Sequence, residues 1–255
     1  MDLTTDTEIY AAREYFIREK DKEKQALACF YAAKVAFSNG QADRATLYFQ
    51  EASDFAQKSG NKVLQGRALY NIGYLCYDRE LPIDTITRYQ QALQLFQQAE
   101  DQYQMEIYSL NAIGNALLIR EHTDSARYYY QTALNRALLH GDTASQVMVY
   151  TTLGVAYREQ GQPDTATFYC RKALSMANAN SEKAYVYRNL AHLFLGKDVD
   201  SARYYLANAE PLYRQLDNRF AIVSLTHLYY QVEKAGGNFP KALDYLEFRI
   251  AKNGK

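Results

Sequence analysis

The residue types best suited to acid–base, nucleophilic or metal chemistry are scarce in this sequence. Its 255 residues include four histidines and three cysteines. A nucleophile elbow, a phosphate-binding loop, an HExxH sequence and a CxxC pair are all missing from it. The sequence therefore predicts that the protein is not an enzyme and has no catalytic residue, metal site or cofactor. The residues considered are His122, His140, His192, His227, Cys29, Cys76 and Cys170.

Structural roles account for most of these side chains. His122 and His140 fall in predicted turns, which favours solvated imidazoles over catalytic ones. Each cysteine falls on a predicted core position, where a free thiol packs as a small hydrophobic group. His192 and Arg188 share one predicted helix face and are the nearest approach to a reactive pair. An enzyme subunit is therefore the least favoured of the functions considered below.

Charge and hydropathy argue against a nucleic-acid ligand and against a membrane-spanning segment in this sequence. Lys plus Arg and Asp plus Glu are 29 each, so the formal net charge is +0 at pH 7, unlike the basic surface of a nucleic-acid binder. No apolar run approaches the roughly 18 residues that a membrane span needs. The N-terminal MDLTTDTEIY lacks the basic and apolar regions of a signal peptide. The 24 tyrosines favour surfaces that are half buried and half wet.

Small residues recur along the chain at a nearly fixed interval. Six alanines follow one another at spacings of 40, 40, 41, 40 and 36 residues. A period in this range predicts stacked supersecondary units. A glycine inside a helix costs roughly 1 kcal/mol relative to alanine, so we expect Gly154 and its equivalents to mark close helix crossings. The alanines are Ala12, Ala52, Ala92, Ala133, Ala173 and Ala209.

Each repeat unit has the pattern of two helices joined by a turn. Apolar and small residues at helical spacing predict thirteen helices. An aspartate stands two residues before the first small residue of several second helices, which predicts a helix N-cap at Asp43, Asp124, Asp164 and Asp200. The predicted helices are 5–20, 22–38, 42–58, 62–78, 83–99, 102–119, 123–139, 143–160, 163–178, 181–195, 198–215, 218–236 and 239–253.

Three stretches resemble the tetratricopeptide repeat family. They are LYNIGYLCY (69–77), LNAIGNALL (110–118) and YTTLGVAYREQGQPDTA (150–166). The resemblance implies an all-α fold, a right-handed α-solenoid of about six helical hairpins with repeats of about 40 residues plus an N-terminal helix; the family's usual period is about 34. We expect a single domain over 1–255, with a part-repeat helix at 5–20 and repeats at 21–60, 61–101, 102–142, 143–179, 180–217 and 218–255.

The resemblance also implies where a ligand would bind. In this family the first helix of each hairpin lines a concave groove, and residues one turn apart share that face. Asparagine can bond a peptide backbone, arginine matches carboxylates, and tyrosine is frequent in binding hot spots. Some of these tyrosines could instead pack neighbouring helices. The predicted binding residues are Arg67, Tyr70, Tyr74, Tyr77, Tyr108, Asn111, Asn115, Thr151, Arg158, Tyr185, Arg188 and His192.

Asn115 occupies a place that resembles the backbone-gripping asparagine of carboxylate-clamp repeat proteins. The remaining Lys and Arg positions of that clamp are missing, so the resemblance does not extend to recognition of a C-terminal carboxylate. We expect a peptide or protein ligand in the groove, and no nucleic acid. The exposed terminal helices leave open a homo-oligomer.

The predicted function is a non-catalytic scaffold that binds a peptide or protein. The phrases DSARYYYQTAL and DSARYYLANA resemble the extracytoplasmic repeat regions of bacterial membrane-anchored regulators. That resemblance implies the sensor or assembly domain of a signalling or transcription regulator, held on the periplasmic side, and a fragment of a longer protein. The alternative is a stand-alone adaptor or chaperone-like subunit of a protein complex, for which a cytoplasmic location remains open.

Overall fold

The computed structural model describes residues 6–216 and 219–253, which form thirteen α-helices and no strand. Every predicted helix end that falls in this range is confirmed to within two residues. Residues 1–5, 217, 218, 254 and 255 of the predicted ranges lie outside the described residues. The helices are α1 (Asp6–Glu19), α2 (Lys22–Ser38), α3 (Ala42–Ser59), α4 (Lys62–Asp78), α5 (Pro82–Gln97), α6 (Tyr103–Ile119), α7 (Thr123–Leu139), α8 (Thr143–Glu159), α9 (Pro163–Met176), α10 (Asn180–Phe194), α11 (Val199–Gln215), α12 (Arg219–Ala235) and α13 (Phe239–Asn253).

The chain divides into two compact units, Met1–Arg136 and Ala137–Lys255. The division falls inside α7, and no linker-like sequence marks it. Below, α2, α4, α6, α8, α10 and α12 are called the A helices and the others the B helices. In the second unit, α10 packs against α8 and α12 as well as against α9 and α11. Adjacent A helices therefore bring their side chains together on one face.

The repeating small residues lie where the helices approach most closely. Ala52, Ala92, Ala133, Ala173 and Ala209 are each 0% exposed, while Ala12 is half-buried. A Cβ atom added to a mid-helix glycine such as Gly73 or Gly114 would collide with a side chain of the following helix. The expectation that small residues permit close helix crossing is confirmed.

Two crossings show how little space there is. A Cβ built on Gly114 would lie 2.5 Å from Cε1 of Tyr130. One built on Gly154 would overlap Sγ of Cys170 and lie 3.2 Å from the backbone oxygen of Ala166. Because real Cβ contacts are never this short, both positions exclude any side chain unless the neighbours move.

The predicted aspartate N-caps are wrong, because each aspartate is the second residue of its helix and not the residue before the helix. Asp43, Asp124, Asp164 and Asp200 lie inside the first turn of their helices. They still complement the positive end of the helix dipole there. Four other side chains occupy N-cap positions and accept backbone hydrogen bonds, and three of them cap A helices. These caps are Asp21, Asn61, Asp142 and Asp198.

A buried carboxylate ties the last three helices together. Glu233 on α12 is 0% exposed. Arg203 on α11 donates to it through Nε (3.1 Å) and Nη2 (2.8 Å), and Lys241 Nζ on α13 lies 3.3 Å away. The hydrogen bonds from Arg203 hold the pKa of Glu233 below its ordinary value. Cations on both sides thus compensate the burial of this charge.

The described helices do not include one that is both long enough and apolar enough to cross a membrane.

Candidate functional site

The predicted binding residues fall on four A helices in two separate units. In the first unit, α4 carries four of them and α6 carries three. In the second, α8 carries two and α10 carries three. The first set is Arg67, Tyr70, Tyr74, Tyr77, Tyr108, Asn111 and Asn115; the second is Thr151, Arg158, Tyr185, Arg188 and His192.

The aromatic residues of α4 differ in how much surface they offer. Tyr70 is half-buried, with its ring centroid 5.1 Å from that of Tyr89 on α5. Burial raises the pKa of the Tyr70 phenol to about 12. Tyr74 is 46% exposed and meets the ring of Phe37 edge-on at 5.7 Å. Tyr74 therefore presents an open ring face, whereas Tyr70 serves the packing of the α4–α5 hairpin.

A cleft of about 500 Å³ opens beside Tyr74 and Tyr77. Leu81 and Ile119, which are 45% and 63% exposed, form part of its wall. Arg67 is exposed on the same helix and lies 5.6 Å over the ring of Phe30. These side chains make the accessible part of the A-helix face in the first unit, and it is mainly apolar.

The two asparagines of α6 are engaged in packing. Asn111 is 6% exposed. Asn115 is half-buried, and its Oδ1 accepts a hydrogen bond of 2.8 Å from the hydroxyl of Tyr130. Tyr130 is 0% exposed and covers Gly114. Asn115 therefore provides an acceptor for a buried phenol, a role that the sequence analysis did not assign to it. Tyr108, on the preceding turns of α6, is half-buried.

In the second unit, Thr151 is withdrawn from the surface. It is 0% exposed, and its hydroxyl donates to the backbone oxygen of Val147 at 2.7 Å. Thr151 lies on α8, which contacts both α9 and α10. Thr151 consequently offers no group to a ligand.

Four cationic or imidazole side chains from α8, α10 and α12 lie near one another. Arg158, Arg188, His192 and His227 are called the Arg188 patch below. Burial lowers the pKa of His192 to about 4, and the charges of Arg158 and Arg188 act in the same direction. His192 is nevertheless an exposed residue, so packing against part of the side chain, and not full enclosure, disfavours the charged imidazole. His192 is neutral at pH 7.

The two arginines of the patch differ in their partners. Arg158 is half-buried and bonds Glu159, the next residue, through Nε at 3.1 Å and Nη2 at 2.5 Å. Arg188 is half-buried and lies 5.1 Å over the ring of Tyr185. In the described part of the chain, no carboxylate lies within ion-pair distance of Arg188. One guanidinium therefore keeps its full charge available.

The cysteines have structural environments. Cys29 and Cys170 are buried, and Cys76 is half-buried. Burial raises the pKa of both Cys29 and Cys170 to about 12, so neither carries a thiolate near pH 7. Over the ranges 6–216 and 219–253, no three His, Cys, Asp or Glu side chains are grouped so that they could hold a metal ion.

Comparison with known proteins identifies the fold. No protein-family model and no curated protein matches the sequence. Solved structures do match. The Rap conjugation gene regulator of the plasmid pLS20, in complex with the Phr* peptide, has a TM-score of 0.75 and 18% identity, over 91% of this chain and 65% of that one. Aspartyl phosphate phosphatase F from Bacillus subtilis has a TM-score of 0.73 and 13% identity, over 93% and 64%.

A third match comes from a different kind of assembly. The APC/C hetero-tetramer Cut9-Hcn1 has a TM-score of 0.62 and 15% identity, over 96% of this chain and 46% of that one. The chain thus spans about 65% of the length of the two proteins described first. These likenesses show an all-α, tetratricopeptide-like helical-repeat fold. Because a regulator, a phosphatase and a subunit of a complex share it, the fold does not select a function.

Proposed function

We propose that this chain is a non-catalytic peptide-binding scaffold in a bacterial regulatory protein. The observation that carries the proposal is the Arg188 patch, where polar side chains of three adjacent A helices surround Arg188, a cation that no carboxylate of the described residues pairs with. A structurally similar protein, the Rap regulator of pLS20, has been solved with a peptide. The raised pKa values of Cys29 and Cys170 support a chain that performs no chemistry itself.

The proposal assigns the predicted residues to two roles. Residues with accessible side chains contact the ligand, and residues that are buried or engaged by neighbours hold the helices in place. The second group contains Tyr70, Asn111, Asn115 and Thr151. The ligand-contacting group contains Arg67, Tyr74, Tyr77 and Tyr108 in the first unit, and Arg158, Tyr185, Arg188 and His192 in the second.

A finer proposal concerns the regulator itself. The resemblance of the DSARYYYQTAL and DSARYYLANA phrases supports the sensor or assembly domain of a membrane-anchored bacterial regulator, with this domain on the periplasmic side. The complete gene tests it. About 20 consecutive apolar residues beyond Lys255 would agree with an anchor, and a reporter fused at Lys255 that is active only in the cytoplasm would contradict the periplasmic location.

The binding function is tested by selecting peptides against the intact chain. A library of random 12-residue peptides displayed on their own messenger RNA is passed over the immobilised protein, and enriched sequences are synthesised and titrated by calorimetry. We expect saturable binding of the enriched peptides. Enrichment of no sequence above the bare support would contradict the proposal. Recovery of folded proteins alone, in a parallel capture with the same chain, would favour the adaptor subunit instead.

A further inference from the structure

We infer that the Arg188 patch binds a carboxylate of an acidic peptide segment. The inference rests on the proposed peptide-binding function and adds the ligand class and its anchor. The patch occupies one region of the second unit, formed by α8, α10 and α12. None of its four residues is among those that the glycines meet where two helices cross most closely.

The guanidinium of Arg188 is the anchor. Its Cζ atom lies 5.1 Å from the centroid of the Tyr185 ring, over which the guanidinium sits. An arginine held over an aromatic ring can still use its N–H groups, and the guanidinium matches a carboxylate with two parallel hydrogen bonds. Since no described carboxylate forms an ion pair with it, an incoming carboxylate would have no internal competitor at Arg188.

Arg158 supplies a second cation with a replaceable partner. Its bond to Glu159 joins neighbours on one helix, and Glu159 is exposed. An exposed ion pair of this kind contributes little stability. A ligand carboxylate could therefore share Arg158 with Glu159 at small cost. Because Glu159 neutralises Arg158 in the free protein, the excess charge of the patch is that of Arg188 alone.

The imidazoles add hydrogen-bonding groups without adding charge. His192 is neutral at pH 7 and faces Arg158, Glu159, Arg188 and His227, the charged and titratable groups that act on it. A neutral imidazole offers one donor and one acceptor. His227 stacks on Tyr230 with ring centroids 6.1 Å apart and planes at 27°. This mixed surface suits a peptide, whose backbone supplies both donors and acceptors.

The amount of charge argues against a nucleic acid. Binding to a phosphodiester backbone depends on many cation–phosphate contacts, each of which releases counterions. The patch has one uncompensated cation, and the whole chain has a formal net charge of +0. A single carboxylate, from an Asp or Glu side chain or from a peptide C-terminus, matches this charge.

The test compares synthetic pools of 12-residue peptides by fluorescence anisotropy on the intact chain. Three pools have amidated C-termini and identical apolar positions, with Asp/Glu, Asn/Gln or Lys/Arg at the same three sites. A fourth has Asn/Gln at these sites and a free C-terminus. We expect the Asp/Glu pool or the free-terminus pool to bind about tenfold more tightly than the amidated Asn/Gln pool, which is the gain typical of a charged hydrogen bond. The winning pool identifies the source of the carboxylate.

Two substitutions complete the experiment. Arg188→Gln should abolish the tenfold preference, so that the carboxylate-bearing pool and the amidated Asn/Gln pool bind this variant with equal affinity. Arg171→Gln removes the same charge from the exposed surface of α9 and should leave the preference intact. Arg188→Lys, which keeps the charge and loses the fork, should retain a reduced preference, and it decides the matter if Arg188→Gln does not fold.

Three results would overturn the inference. Binding of all pools with equal affinity would refute recognition of a carboxylate but would agree with the proposed peptide-binding function. A preference that survives Arg188→Gln in a folded protein would place the anchor elsewhere. Failure of every pool to bind would overturn both this inference and the proposed function.

Discussion

Two hairpins of the same design solve one packing problem differently. In the first unit, Gly114 on α6 faces Tyr130, which is 0% exposed. In the second unit, Gly154 on α8 faces Cys170, which is 2% exposed. The facing residue follows its glycine by sixteen positions in both cases. A phenol ring fills the crossing in one hairpin, and a thiol with close backbone contact fills it in the other.

The residue after each glycine is polar where a phenol fills the crossing and apolar where a thiol fills it. Asn115 follows Gly114 and accepts the hydrogen bond of the Tyr130 hydroxyl. Val155 follows Gly154, where the thiol of Cys170 needs no strong acceptor. The polar side chain of Asn115 therefore belongs to the buried phenol. Polarity on an A helix does not by itself indicate a ligand. A cation such as Arg188, with which no carboxylate among the described residues forms an ion pair, is the more informative observation.

The largest effect is expected from emptying the phenol-filled crossing. Tyr130→Ala should lower the free energy of unfolding by about 3–5 kcal/mol, because a large buried ring leaves a cavity. Cys170→Ala should cost only about 1 kcal/mol, since few atoms are removed. Urea denaturation followed by circular dichroism measures both.

Tyr128→Ala is the matched control on the same helix. Tyr128 is 68% exposed, so its loss should change the unfolding free energy by less than about 0.5 kcal/mol. Equal costs for Tyr128→Ala and Tyr130→Ala would refute the assigned packing of α7.

A smaller effect is expected from the glycine itself. Gly114→Ala should destabilise the protein by about 1–2 kcal/mol, because overpacking against Tyr130 outweighs the gain in helix propensity. In a Tyr130→Ala background the same substitution should become stabilising by up to about 1 kcal/mol. An unchanged penalty in that background would show that Tyr130 is not what Gly114 accommodates.

The Asn115–Tyr130 hydrogen bond should contribute about 1 kcal/mol. A double-mutant cycle with Asn115→Ala and Tyr130→Phe measures this coupling in the unfolding free energy. We also expect Asn115→Ala to leave the affinity for selected peptides unchanged. A loss of affinity in the folded variant would return Asn115 to the ligand-contacting group.

The smallest effect concerns acid. The pKa of His192 is about 4 in the folded protein against an ordinary 6.5, so between these values the unfolded chain binds the extra proton. The unfolding free energy should therefore decrease as the pH falls from 6.5 to 4. His192→Gln should make this decrease shallower than in the unsubstituted protein, as measured by urea denaturation at each pH. An unchanged slope in His192→Gln would contradict the environment assigned to His192.

The sequence was sufficient to predict the helices because small residues repeat at each crossing. It did not identify the N-cap residues: Asp43 and Asp164 lie in the first turn, since a first-turn aspartate and an N-cap aspartate both favour a helix N-terminus. The sequence did contain a signal for the Asn115–Tyr130 hydrogen bond. At the same spacing, Gly114 is followed by Asn115 and Tyr130, whereas Gly154 is followed by Val155 and Cys170.

The sequence predicted which face of the A helices carries the candidate site, but not which residues of that face are accessible. Counting one turn at a time placed Thr151 beside Arg158, but the threonine is buried in the structure. Whether a carboxylate pairs with Arg188 depends on which side chains other helices bring near it, and no local sequence pattern contains that information. Only the assembled unit shows that none of the described carboxylates does so.

The most direct test of the account is to locate a bound acidic peptide. A selected peptide with a benzoylphenylalanine beside its acidic residue is cross-linked to the intact chain by light, and mass spectrometry identifies the attached residues. The account predicts cross-links on α8 and α10 around Arg158, Tyr185 and His192, which disappear in Arg188→Gln. Cross-links confined to the B helices α9 and α11, unaffected by that substitution, would contradict it.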